Sequence, residues 1–242
     1  MTHRGDGSPH EAVVRARRCD LTVGDTNWAF AQRHRCEIDA HWQRRATDNP
    51  SFFNGAILLM ETHSLHDGIL EARFLRTEFK NYLFWRETGG ADSSIADAFG
   101  SALIRSSEGH VLLGRQRVGV NAGLAYPPGG FIDERDVGAG GVIDIAGSVA
   151  REIEEETGLS PQALERTPGF ILTFARPFVS VGVEFRSPLT AERLESRIRD
   201  HIGGDPDSEL AEILVIKSGR DLEGLAVPSY VRLLIAALFP DR

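Results

Sequence analysis

A chain of 242 residues with 41% hydrophobic and 26% charged side chains can bury a sizeable core, and this composition excludes low-complexity and repeat architectures. The net charge of −8 repels a nucleic-acid backbone, and the longest apolar run, Leu233 to Phe239, is far short of the roughly 20 residues that cross a bilayer. Cys19 and Cys36 have no disulfide or metal-binding pattern and read as reduced thiols, so the expectation is a cytoplasmic protein, monomer or homodimer, with no nucleic-acid or membrane partner.

Residues 1–11 are polar, contain Gly5, Gly7 and Pro9, and lack the apolar stretch of a secretory signal; they read as a disordered tail. Residues 12–23 read as a strand, and 27–47 as a helix stopped by Asn49-Pro50. The apolar runs 56–60 and 69–75 suggest a hairpin whose turn exceeds two residues, followed by a short helix capped by Thr77 and carrying Tyr82 and Trp85. The stretch Gly89 to Ser94 has linker composition and is the expected domain boundary. Beyond it, 98–105 and 111–117 flank a turn at 106–109, and 127–142 is a Gly- and Pro-rich loop. A helix is expected over 143–157, with Ile145, Ala146, Val149 and Ile153 at helical spacing and Gly158 as terminator. Strands at 170–175 and 178–185, a helix at 191–202, a strand near 213–216 and a last helix at 228–239 follow. The order lacks the regular rhythm of a doubly wound sheet and fits a mixed α/β sandwich.

The expected helix at 143–157 carries the chemistry. With about 100° per residue, Glu152, Glu155 and Glu156 fall on one side of it, predicted to face solvent beside the packed stripe. Like charges so close repel, and a hard divalent cation relieves them. Magnesium suits an open cluster of carboxylates completed by water and phosphate oxygens, with manganese as a substitute. Arg151, one turn before Glu155, is placed to orient that carboxylate. Gly129 and Gly130, after Pro127-Pro128, allow a tight bend that brings backbone donors near phosphate.

These residues spell a pattern: Gly129-Gly130, then Arg151-Glu152-Ile153-Glu154-Glu155-Glu156-Thr157-Gly158-Leu159, which resembles the box of the Nudix hydrolase family. The resemblance implies a Nudix α/β/α sandwich over 91–242 that cleaves the pyrophosphate of a nucleoside diphosphate-linked metabolite. It implies Glu152, Glu155 and Glu156 as metal ligands, Arg151 as part of the catalytic set, and Gly129 and Gly130 at the substrate. The chain departs from the pattern in two places. Twenty residues lie between Gly130 and Arg151, which implies an insertion, and Ile143 stands eight positions before Arg151 where the pattern has a Glu. Asp144 or Asp136 is then the candidate to steady Arg151.

A group that activates water is also needed. In the family it often lies after the box, which leaves Glu209, Glu212 and Glu184, with Glu209 preferred as base or extra ligand. The amino-terminal residues Trp42, Asn49 to Phe52 and Phe53-Asn54-Gly55 resemble the Nudix hydrolases of UDP-glucose and UDP-galactose. That likeness implies a small α+β domain over 12–90 that covers the substrate, with Asn54 touching it, and release of UMP and a sugar 1-phosphate. ADP-ribose, NADH and CoA are the alternative substrates, and a non-catalytic nucleotide-metabolite sensor is the alternative class. The aromatics of this segment read most simply as core, and His34, His41, His63 and His66 as surface residues.

Overall fold

The computed structural model describes residues 11–50 and 52–240; the expected tail over 1–11 lies outside them except for Glu11. The expected strand at 12–23 is interrupted at Arg17, giving β1 (Glu11–Ala16) and β2 (Arg18–Val23). Each joins a different sheet. Two helices follow, α1 (Ala29–Arg33) and α2 (Arg35–Asp48), where the sequence suggests one; the break is at His34, and Asn49 ends the second.

Strands β3 (Ala56–His66) and β4 (Ile69–Glu78) form a hairpin that is tighter than expected. Its strands run on to His66 and Ile69, leaving a turn of Asp67 and Gly68 alone, both at positive φ (48° and 69°). That is the left-handed pair a two-residue hairpin requires. Helix α3 (Phe79–Glu87) is not capped by Thr77. The residue before its first turn is Glu78, and the first-turn amide of Lys80 donates instead to Asn54 Oδ1 at 2.9 Å.

The remaining elements are β5 (Asp97–Arg105), β6 (Val111–Gln116), the short β7 (Ala125–Tyr126), α4 (Ile145–Thr157), the short β8 (Glu165–Arg166), β9 (Phe170–Ala175), β10 (Phe178–Arg186), α5 (Ala191–Gly204), β11 (Leu210–Ile216) and α6 (Ser229–Leu238). The larger sheet runs β1-β9-β10-β5-β6-β11, with β7 on β6 and β8 on β10. It is mixed, because β10 and β5 are parallel and the other pairs antiparallel. A three-stranded sheet runs β2-β4-β3.

Strand alternation decides which layer each side chain feeds. Ala102 and Ile104 of β5 and Leu112 of β6 pack under α4 and α5 with Val149, Ile153, Leu194 and Ile198. Their neighbours Val111 and Leu113 face the other way, against Val231 and Ile235 of α6. Helices therefore cover both faces, an α/β/α sandwich. Beside α4 the same face is also covered by the small sheet, whose Leu58, Met60, Leu70 and Phe74 join Ala98, Leu172, Phe174, Val179 and Val181 in one core. At Gly100 a Cβ would lie 2.6 Å from Val149, so the glycine lets α4 settle onto the sheet. No helix among the described residues is long and apolar enough to cross a membrane.

Candidate functional site

Helix α4 begins where Asp144 accepts the Gly147 amide at 2.9 Å and ends at Gly158, which has the left-handed φ of 65°. Its apolar stripe of Ile145, Val149 and Ile153 is buried, which fixes where the acidic side points. That side does not uniformly face solvent, as the sequence suggested. Glu155 is exposed, the Glu152 side chain retains only 14% exposure, and Glu156 is buried. The loop before the helix is the reason. Gly129 tucks against β5 so closely that a Cβ would meet the Gly100 carbonyl at 2.1 Å, and a Cβ on Gly130 would stand 3.0 Å from the Glu152 carboxyl.

In this fold Glu156 is pinned from two sides. Gly129 N donates to its Oε2 at 2.8 Å and Gln116 Nε2 to its Oε1 at 3.1 Å. Burial pushes its carboxyl up to about 8; the two donors oppose that, and the charges of Glu152 and Glu209 add to it. Burial likewise raises Glu152 to about 7, helped by Glu155 and Glu209 and opposed by Arg151. Both carboxyls thus sit in a field made by other carboxylates.

Arg151 is held chiefly by Asp136, not by Glu155. Nη1 donates to the fully buried Asp136 carboxylate at 2.9 Å, whereas Glu152 and Glu155 stand 3.7 and 3.8 Å away. The structure thereby chooses between the two aspartates left open by the sequence. Asp144 is occupied with the helix cap, and Asp136 is the aspartate that pairs with Arg151; Ile143 itself is core. Asp136 is fixed in turn by the Asp133 amide, which donates to it at 3.0 Å. Nε and Nη2 of Arg151 are buried with no hydrogen-bond partner among the described residues, and these are the atoms nearest Glu155 and Glu152.

The insertion that carries Asp136 leans on the small sheet. Ile143 N donates to Leu21 O at 3.0 Å, Leu58 N donates to Ile132 O at 3.0 Å, and Arg76 Nε donates to Glu134 at 2.7 Å. What reads in sequence as a disturbance of the box is a docked structural piece.

Of the candidate bases, Glu209 alone comes to the site. It lines the cavity described below with Glu156, its charge acts on both Glu152 and Glu156, and its side chain has no hydrogen bond or ion pair among the described residues. Glu184 is locked to Arg105 at 2.6 Å, and Glu212 to Arg115 at 2.6 Å. Asn54 is not brought in either, because its amide is spent on Glu78 and its carbonyl oxygen on the α3 cap.

Gly129, Gly130, Glu156 and Glu209 border a cavity of about 620 Å³. Its walls are aromatic, with Phe99, Tyr126, Phe178 and Tyr230 from the sandwich and Phe79 and Tyr82 from α3. Sequence reasoning missed Arg86 of α3 and Asp97 of β5 as site residues and gave Tyr82 to the core in preference to a stacking role. Their only signal is spatial, since no spacing along the chain links them to the acidic helix.

The donor set suits a hard cation. Glu152 and Glu156 are raised chiefly by burial and further by neighbouring carboxylates, and Arg151 beside them has two buried donors with no partner among the described residues. Among the described residues no three acidic, His or Cys side chains are grouped around one metal position, so a cation here would draw on water and substrate oxygens as well.

Residues 96–213 match the NUDIX domain model. A search of curated proteins gave no match. Among solved structures the chain is similar to the MutT protein of Methanosarcina mazei Go1, at 21% identity over 59% of this chain and 92% of that one, with a TM-score of 0.39. It is also similar to DR0079 of Deinococcus radiodurans, at 15% identity over 59% of this chain and 82% of that one, with a TM-score of 0.42.

Proposed function

We propose, from the premise that residues 96–213 are a Nudix domain and that the chain is a pyrophosphohydrolase, that it cleaves the diphosphate of a nucleotide-linked metabolite with magnesium held at the acidic face of α4. The observation that carries this reading is the convergence of Glu152, Glu156 and Glu209 beside the Gly129-Gly130 turn, at the edge of an aromatic cavity. Glu152, Glu155 and Glu156 would hold the cation, with manganese able to replace it. When bound, it neutralises charge on the diphosphate and makes a water molecule more acidic.

The chain's own residues do the rest. Asp136 fixes Arg151, and Arg151 keeps Glu152 and Glu155 turned to the same side. Gln116 and Gly129 hold Glu156. The Glu209 carboxylate, free of side-chain partners among the described residues, takes the proton from the attacking water. The amino-terminal segment acts as a cover: α3 supplies Phe79, Tyr82 and Arg86 to the cavity, and Phe52 and Phe53 stand at it.

UDP-glucose and UDP-galactose are the first candidate substrates, giving UMP and a sugar 1-phosphate. The amino-terminal residues suggest them, and the cavity has a volume suited to a nucleoside. ADP-ribose, NADH and CoA are the alternatives. A non-catalytic sensor, suggested by Ile143 and the stretched loop before α4, is the other reading, and the pairing of Arg151 with Asp136 weighs against it. The test is incubation of the protein with each compound and magnesium, with products identified by phosphorus NMR. The reading expects two phosphomonoesters from at least one compound; no cleavage of any would overturn it.

A further inference from the structure

Asp97 opens β5 at the cavity, and its side chain is fully enclosed. A buried carboxylate is costly unless both oxygens find donors. Oδ2 has one, the Tyr82 hydroxyl at 2.6 Å, whereas Oδ1 is buried with no hydrogen-bond partner among the described residues. The neighbouring polar groups are committed elsewhere. Tyr82 accepts from Arg86 Nη1 at 3.0 Å, Arg86 Nη2 donates to Asn121 Oδ1 at 2.6 Å, and Asn121 Nδ2 donates to Tyr126 at 3.2 Å. Among the described residues Asp97 Oδ1 is thus an acceptor without a donor, in a cavity lined by rings and by the polar side chains of Gln116, Glu156, Asp207 and Glu209. Phe53 and Val118, two of the three exposed large hydrophobic residues among those described, line the same cavity.

We propose that Asp97 Oδ1 receives an N–H or amino donor of a nucleobase lying among Phe99, Phe178 and Tyr230, with Tyr82 and Arg86 of the amino-terminal segment holding the carboxylate in place. A flat apolar body with a donor on its edge fits these surroundings. A sugar would leave several hydroxyls facing apolar rings, and an acyl chain would leave the carboxylate unserved. Burial lifts the Asp97 carboxyl to about 6, opposed by Tyr82 and Arg86, which leaves it mostly ionised and an acceptor near neutral pH. The specificity element thus lies partly outside residues 96–213. The inference rests on the proposed function only for the diphosphate joined to the base.

Binding without turnover separates the two. UMP, CMP, AMP, GMP and ribose 5-phosphate are titrated calorimetrically in EDTA into the wild type, Asp97→Asn and Tyr82→Phe. At least one nucleotide should bind about tenfold or more tightly than ribose 5-phosphate. Asp97→Asn should remove that advantage, because Tyr82 claims the amide oxygen and an NH2 is left facing the donor. Tyr82→Phe, which keeps Asp97 but frees it to turn, should weaken it less; it also serves as the second variant should Asp97→Asn fail to fold. In hydrolysis, Asp97→Asn should raise KM with kcat within about twofold of wild type. Equal binding of ribose 5-phosphate and all four nucleotides, or undiminished nucleotide binding by both variants, overturns the inference. Base-dependent binding without cleavage of any diphosphate overturns the proposed function and leaves this inference standing.

Discussion

Asp136 and Arg151 form a close charge contact behind the acidic face, and Asp136 has no exposure to dilute it. Asp136→Asn keeps the shape and removes the charge. It should weaken divalent-cation affinity by about 10–100-fold, the usual cost of losing a group that orients metal ligands, with a folded far-UV spectrum. A calorimetric magnesium or manganese titration measures it, and unchanged affinity would remove Asp136 from the account. The raised carboxyls make a second prediction. Their folded values of about 7 and 8 lie above the usual 4.5, so the stability they contribute is full below about pH 4.5 and is lost as pH rises through 7 and 8. In EDTA the Tm should fall between pH 5 and 9, and a divalent cation should restore it most at the alkaline end. A Tm that is flat with pH, or cation stabilisation greatest at pH 5, would contradict this. At this scale Glu152, Glu155 and Glu156 were legible because helical geometry alone groups them. The burial of Glu156 was not, because it depends on Gly129 folding over it from 27 residues away.

Helix α4 and the loop before it show how two glycines of one motif do separate work. At Gly129 a side chain would strike the Gly100 carbonyl, a backbone atom that cannot yield, and would displace the amide bonded to Glu156. At Gly158 the demand is a left-handed φ at the helix end, with His201 close by. Gly129→Ala should therefore lower kcat by about tenfold or more as well as stability, since misplacement of a held group is costly to rate. Gly158→Ala should cost about 1 kcal/mol or more of stability with metal affinity nearly intact. Thermal unfolding and metal titration of both variants distinguish these outcomes; equal effects on metal affinity would refute the division. The helix, its terminator and the flanking strands were legible from apolar spacing. The turn at Asp67-Gly68 and the start of α3 were less so. Strand ends are set by pairing across the hairpin, and Asn54 caps α3 from 26 residues away.

The whole molecule couples two sheets around one cavity. The small sheet shares a core with the sandwich, steadies the insertion that carries Asp136, and is followed by α3, which presents Tyr82 and Arg86. The mixed α/β class was readable from the order of apolar runs. The route of β1 into the larger sheet and β2 into the smaller was not, because both segments have the same local character and only long-range pairing separates them. The central claim is that cation-dependent cleavage of a nucleotide-linked diphosphate is performed at the α4 carboxylates. Its most direct test is the initial rate on the best-cleaved compound of the substrate set, with magnesium and with EDTA, for the wild type and for Glu156→Gln. The account predicts a wild-type rate that needs the cation and a variant rate lower by about 100-fold or more, in the range expected when a metal- or proton-handling group is lost. A wild-type rate unchanged by EDTA, or a folded Glu156→Gln protein that turns over as fast as the wild type, would contradict it.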